Sequence, residues 1–328
     1  MGAKVQPFST FPALCEVEIL LICLFCYIFA GKRVPSYMKK PFEYYAAIAQ
    51  RLVESGQEFA LYRFPCETAP RLIVGNAVPL QDTHYSVSAA SSVSGFLFHP
   101  FSPTRTCPTL LIRPEIACRG WDIIDSETEN LPHQRITLCH LEHKLQRPVP
   151  RSDDFQRIYR IFRNQIDRGR FHSLYLSQAI EGRWAEDADE GTLFMKMAEM
   201  YPEELVYLTY TRIGGRWTGH TPRMLLRGGS SRWETVSPSG TRHITFSPDG
   251  AHLINDVLQI PPEEVSGQPS SSAREFIRLH EGYPRLYFTG TVGPLNLYGE
   301  TVLFLNLSCL KQHPASQAIF YGGTMLKR

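Results

Sequence analysis

The sequence has almost no charge imbalance. Over 328 residues, 34 basic side chains stand against 32 acidic ones, a formal net charge of +2, so no field is present that would hold nucleic acid or an acidic membrane as the main partner. Long apolar runs are equally scarce. The one extended run, Ile19 to Ala30, is twelve residues, well short of the roughly 20 that cross a bilayer. Glu16 and Glu18 precede it with only Lys4 upstream, the wrong charge for a secretory leader, and no stable membrane partner is expected. A glycine period is missing, which removes collagen-like classes. Also missing are a Walker loop, a Gly-x-Gly-x-x-Gly fingerprint, a His-Glu-x-x-His pair and a zinc-spaced Cys/His set, so the common nucleotide and zinc chemistries have no motif behind them. The cysteines, at Cys15, Cys23, Cys26, Cys66, Cys107, Cys118, Cys139 and Cys309, lack the dense spacing of a disulfide scaffold, and a reduced, cytoplasmic chain is the expectation. Cys23 and Cys26 have CxxC spacing but sit inside the apolar run, outside the strand-to-helix setting of a redox motif. His133, Cys139, His140 and His143 crowd together, yet Ile136 to Cys139 alternates like a strand entering a polar loop, and that reading outweighs a metal site.

What is present suits an ordinary folded protein, with 43% hydrophobic and 20% charged residues and enough chain for a substantial core. Residues 1–37 read as an extension outside the domain, with Met38 an alternative start. Patterning begins at Lys39, where Tyr45, Ile48, Ala49 and Leu52 form a helical stripe that Gly56 ends. Residues 38–150 form a strand-rich part, with strands at Glu58 to Phe64, Arg71 to Val74, Gly95 onward and Thr109 to Arg113. A helix starts at Ser152 with Asp153 and Asp154 at its positive end. Phe155, Ile158, Tyr159, Phe162 and Ile166 make its apolar stripe, and Gly169 stops it. Arg157, Arg160, Arg163, Arg168 and Arg170 read mostly as its solvated face. Residues 151–328 continue with a strand at Ser173 to Ser177, a helix at Thr192 to Met200, and strands at Leu205 to Thr211, Trp217 onward, Leu225 with Leu226, and Arg232 to Val236. Ser272 and Glu275 have the spacing of a capping box, and strands at Thr301 to Cys309 and Ala318 to Tyr321 close the chain. Runs of strands with helices to one side predict an α+β fold with a large antiparallel sheet.

Four segments read as glycine-centred turns at strand ends: Gly219-His-Thr-Pro222, Ser239-Gly-Thr241, Gly290-Thr-Val-Gly293 and Gly322-Gly323. Such turns can offer backbone amides to a carboxylate, though glycine also marks plain β-turns. Tyr201-Pro-Glu-Glu-Leu-Val-Tyr-Leu-Thr-Tyr210, Gly215-Arg-Trp-Thr-Gly-His-Thr-Pro222 and Trp233-Glu-Thr-Val-Ser-Pro-Ser-Gly-Thr241, then Ser266-Gly-Gln-Pro269, Ala273-Arg-Glu-Phe-Ile277, Glu281, Arg285, Tyr287 and Gly290-Thr-Val-Gly-Pro294, resemble the core of the chorismate-utilising enzymes in order. The resemblance covers roughly residues 150 to 325 and is greatest to isochorismate synthases of the menaquinone and siderophore branch. It implies a large layered α+β fold with antiparallel sheets enclosing the site, Mg²⁺ as cofactor, and chorismate or a related small dicarboxylate as the bound molecule, in a cytoplasmic monomer.

The same resemblance implies substrate binding by Thr221, Gly240, Thr241, Tyr287, Gly322 and Gly323. Its catalytic positions are replaced. Ser173 stands where the family has a lysine base, Gln178 where it has an arginine, Arg223 where it has a glutamate acid, and Ser308 where an arginine pairs with a substrate carboxylate. The segment between Thr241 and Val265 is too short for the helix that carries a Glu-His pair, and the C-terminal glutamates of the metal site have no counterpart, which leaves Glu281 as a lone acidic ligand. The expected function is that of an isochorismate synthase-like protein. The alternatives are a non-catalytic family member or damaged gene product, and an anthranilate synthase component I-like enzyme, which Ser177-Gln178 suggests.

Overall fold

The structure, a computed structural model, describes residues 39–80, 93–120, 152–183, 190–248, 250–259, 262–313 and 317–328. The N-terminal apolar run and the His133 to His143 cluster lie outside the described residues. Helix α1 (Lys39–Glu54) is followed by β1 (Phe59–Arg63), β2 (Arg71–Val74), β3 (Ala77–Leu80), β4 (Gly95–His99), β5 (Thr109–Ile112) and β6 (Ile116–Arg119). Helix α2 (Ser152–Asp167) leads to β7 (Ser173–Arg183), α3 (Glu190–Met200), β8 (Leu205–Thr211), β9 (Gly215–Thr221), β10 (Met224–Gly229), β11 (Arg232–Val236) and β12 (Arg242–Phe246). Then come α4 (Ala251–Gln259), α5 (Glu263–Ser266), β13 (Gly267–Gln268), α6 (Ser270–His280), β14 (Thr291–Leu295), β15 (Thr301–Leu305), β16 (Ser308–His313) and β17 (Gln317–Lys327).

Every residue of β1, β4, β5 and β8 is buried, so both faces of these strands must be covered. Two antiparallel sheets and flanking helices supply the cover. One sheet runs β13-β7-β17-β16-β9-β8-β1-β2-β6 and the other β12-β11-β10-β15-β14-β4-β5-β3. Their inner faces meet in an aromatic layer that includes Tyr62, Phe96, Phe98, Tyr207, Trp217, Tyr287 and Phe304. The outer face of the first sheet packs on α1 and α3, through Ile48, Leu52, Phe194 and Met197. Each large aliphatic side chain buried there contributes about 1.5–3 kcal/mol. Helices α2 and α6 cover the β7 end through Ile158, Phe162, Ile166 and Ile277, and α4 covers the second sheet through Ile254 and Leu258. The strand-rich first part is interleaved with the rest, since β1 pairs with β8 and β4 with β14. This is the α+β class expected. Among the described residues no helix is long and apolar enough to cross a membrane.

Several local expectations need correction. The alternation from Thr301 to Cys309 reads as one strand but is two, in different sheets. The chain crosses over at buried Asn306, whose carboxamide accepts a hydrogen bond from Tyr207 Oη at 2.8 Å and donates one to Tyr287 O at 2.9 Å. Ser272 and Glu275 form no capping box. Helix α6 begins at Ser270 behind Pro269, with no side-chain cap, and Glu275 is bound by Arg278 at 2.6 and 2.9 Å. The segment after Thr241 holds a strand, β12, and a helix, α4. Of the four glycine turns, only Ser239-Gly-Thr241 is one, a hairpin tip between β11 and β12 with Gly240 at φ +82°. Gly219, Gly293, Gly322 and Gly323 lie within strands. At Gly219, Gly293 and Gly323 glycine is needed for close approach: a Cβ at Gly219 would stand 2.7 Å from Ser308 O and the Tyr207 ring, and one at Gly293 would stand 2.1 Å from Val302 O.

Candidate functional site

Where the loop between β4 and β5, the β8–β9 turn, the end of α6 with the segment after it, and β16 come together lies a cavity of about 350 Å³ lined by Phe101, Cys107, Gly214, Glu281, Tyr287 and Lys311 among others. That is a size that takes a small organic ligand. Local structure makes the wall stiff. The β8–β9 turn is tied by Gly214 N to Thr211 Oγ1 at 2.8 Å and by Trp217 Nε1 to Gly214 O at 2.8 Å. The 104–107 loop closes on itself through Cys107 N to Thr104 Oγ1 at 3.0 Å and Thr104 N to Cys107 O at 3.0 Å. Tyr287 stacks on Phe98 with centroids 4.0 Å apart, meets Trp217 edge-on, and donates its hydroxyl to Pro108 O at 2.9 Å.

A buried ion pair forms one side. Arg285 and Glu281 are each 1% exposed. Arg285 Nε and Nη2 each donate to the Glu281 carboxylate at 2.7 Å, and the Ser177 amide donates to the same group at 2.8 Å. The remaining Arg285 donors reach Val265 O at 2.6 Å and Tyr175 O at 2.8 Å, with the guanidinium 4.4 Å over the Phe101 ring. Burial opposes the Arg285 charge, and Glu281 beside it prevails, so the guanidinium is held above its ordinary pKa. Tyr283, hydrogen-bonded to the Ser177 hydroxyl, is pushed well up by burial and by the Glu281 charge. The Cys107 thiol is pushed up to about 12 by burial, against the pull of Tyr287 and Lys311, and is therefore an inert neutral group. Burial pulls Lys311 below the usual lysine range.

Of the residues singled out from the sequence, Glu281 and Tyr287 line this cavity. Ser173 begins β7, opposite Gln268 and Lys327. Thr221 is buried with Oγ1 donating to Leu305 O at 2.7 Å. Arg223 is engaged by Glu264 at 2.6 Å, Met224 O at 2.6 Å and Val236 O at 2.9 Å. Gly240 and Thr241 occupy the exposed hairpin tip, and Gly322 and Gly323 pair with Gln178 and Ser177. Ser308 sits opposite His220 on the strand face shared with Leu310, away from the inter-sheet layer that holds Cys309. Lys311, Cys107 and Phe101 were not singled out. Their signal was weak, because alternation in β16 puts Cys309 and Lys311 on one face without saying which face is inward.

No family model matches the chain, and no curated protein matches it in sequence. Solved structures match in fold. A Bacillus anthracis protein assigned as the 2,3-dihydroxybenzoate-specific isochorismate synthase DhbC superposes with TM-score 0.60 at 15% identity, over 85% of this chain and 92% of that one. MenF, the menaquinone-specific isochorismate synthase of Escherichia coli, gives TM-score 0.64 at 11% identity, over 95% and 94%. Anthranilate synthase component I of Streptococcus pneumoniae gives 0.55 at 12%, over 82% and 87%. The chain has the fold of the chorismate-utilising enzymes.

Proposed function

We propose that this chain is an isochorismate synthase-like protein that takes chorismate, or a closely related small dicarboxylate, into the cavity beside Tyr287 and Lys311. The observation that carries the reading is the fold shared with MenF over 95% of the chain, together with a cavity of suitable size bounded by the Glu281–Arg285 pair and Tyr287. In the isomerisation, water adds at one end of the ring diene system of chorismate, the two ring double bonds shift, and hydroxide leaves from the ring carbon on the other side of the ether-bearing carbon, so one group must take a proton and another must give one. A serine hydroxyl at residue 173 is no base at neutral pH, and the Arg223 guanidinium does not give up its proton. Arg223 is instead a structural tie, through Glu264 and two carbonyls. These two side chains therefore do not supply the proton transfers, and the reading is one of binding on a synthase scaffold.

Magnesium fits the described residues poorly. Mg²⁺ demands near-octahedral oxygen ligation, while both oxygens of Glu281 are already taken by Arg285 and the Ser177 amide. Among the described residues no three His, Cys, Asp or Glu side chains gather into a metal site.

Calorimetric titration with chorismate, with and without millimolar Mg²⁺, tests the reading, alongside chromatography of products after incubation with and without ammonium salts. Saturable binding that Mg²⁺ leaves unchanged is expected, with isochorismate no higher than in a protein-free control. Absence of saturable binding overturns the proposal. Steady isochorismate formation would place the proton transfers on other side chains, and ammonium-dependent anthranilate would assign the anthranilate synthase reaction instead.

A further inference from the structure

Among the described residues, Lys311 is a cation that the fold buries without a counter-ion. It is 7% exposed, in β16, and lines the cavity beside Tyr287 and Cys107. Its strand neighbour is Trp217, and even a Cβ at Gly215 would come to 3.4 Å from its Cε, so the stem is tightly enclosed. Among the described residues its ammonium meets no hydrogen-bond acceptor and no carboxylate, and the charge-bearing group that acts on it is the Cys107 thiol, which burial keeps neutral. The other cations at the cavity are satisfied. Arg285 is saturated by Glu281 and two carbonyls, and Arg278 is bound to Glu275 at the surface. An ammonium whose stem is buried and whose head opens onto a cavity, with no protein partner among the described residues, is poorly compensated, and such a group in a cleft marks a place where a ligand brings the missing charge.

We propose that Lys311 is the carboxylate anchor of this cavity, holding the anionic end of a small aromatic or cyclic carboxylic acid whose ring lies along the Tyr287 side. That the acid is chorismate rests on the function proposed above; that the site holds a carboxylate does not. Ser308, where the resemblance expects a carboxylate-binding arginine, faces away from the cavity, whereas Lys311 enters it from the same strand. The charge that one position lacks is supplied by the other.

The test uses the full chain and its Lys311→Met and Lys311→Arg variants, titrated calorimetrically with chorismate, benzoate and inorganic phosphate. The wild type should bind the carboxylates, Met should weaken them roughly tenfold or more, the scale of a charge-assisted hydrogen bond, and Arg should restore part of the loss. Wild-type affinity should fall as rising pH deprotonates Lys311, while the Arg variant shows no such fall. The Met variant removes a desolvated charge and should melt no lower than the wild type; were it unfolded, the Arg variant and the pH profile decide. Equal chorismate binding by wild type and Met overturns the anchor and leaves the proposed function standing. Lys311-dependent benzoate binding without chorismate binding supports the anchor and removes chorismate. Binding of neither acid overturns both, and phosphate binding as tight as the carboxylates overturns the carboxylate assignment.

Discussion

Neutralising Glu281 should cost this protein much of its stability. Its carboxylate holds Arg285 through two hydrogen bonds of 2.7 Å and accepts the Ser177 amide at 2.8 Å, with both charged partners 1% exposed. Glu281→Gln keeps the shape but turns one oxygen into a donor facing a guanidinium, and leaves that charge buried without its partner. Breaking one side of such a pair costs about 3–5 kcal/mol, which for a chain of this size lowers the melting temperature by about 2 °C per kcal/mol, or roughly 6–10 °C. Arg285→Met should cost about as much, since it strands the carboxylate and frees the carbonyls of Val265 and Tyr175. The double variant Glu281→Gln/Arg285→Met buries no charge, so its loss should fall short of the sum of the single losses by about 3 kcal/mol. Urea denaturation of the four proteins at one pH measures this. A Glu281→Gln loss under about 1 kcal/mol, or losses that simply add, would refute the claim that the pair acts as one buried unit.

Two further perturbations test the packing around the site. His99 is buried with Nδ1 2.8 Å from Thr109 Oγ1, and burial pulls its pKa to about 4. The unfolded chain takes up a proton below about pH 6.5 while the folded chain does not until near pH 4, so the stability His99 contributes is full above that upper limit and is lost as the pH falls, by about 2 kcal/mol at pH 5. Denaturant midpoints at pH 7 and pH 5 should therefore converge in His99→Gln, and an unchanged difference would sink the assignment. In β17, Gly323→Ala would bring a Cβ to 2.5 Å from the Tyr175 ring and 2.8 Å from Leu176 O, whereas one at Gly322 meets nothing within 4 Å. Gly323→Ala should lose about 1–3 kcal/mol and Gly322→Ala under about 1 kcal/mol by the same denaturation assay, and the reverse order would contradict the register of β17 against β7.

Local periodicity told the helices and several strands, because the chemistry that selects them is local. The stripe Ile48, Ala49, Leu52 and the stripe from Phe155 to Ile166 each repeat at 3.6 residues, and α1 and α2 lie where those stripes predict. Strands β2, β8 and β11 have the boundaries read from alternation and flanking turn residues. The run of strands pointed to α+β, and the ordered motifs from Tyr201 to Pro294 pointed to a chorismate-type fold, since a long set of spacings is specific even where single pieces are not. Tertiary structure decided the rest. Gly293 and Pro294 look like a turn in sequence, yet they lie in β14 between β15 and β4, because a close neighbouring backbone, not a bend, is what the glycine accommodates. The break at Asn306 depends on partners at Tyr207 and Tyr287, 99 and 19 residues away in the chain. Which of Ser308 and Lys311 faces the cavity depends on which side of the sheet the second sheet covers. Alternation states that neighbouring side chains point opposite ways; only the packing of one sheet on the other says which way is in.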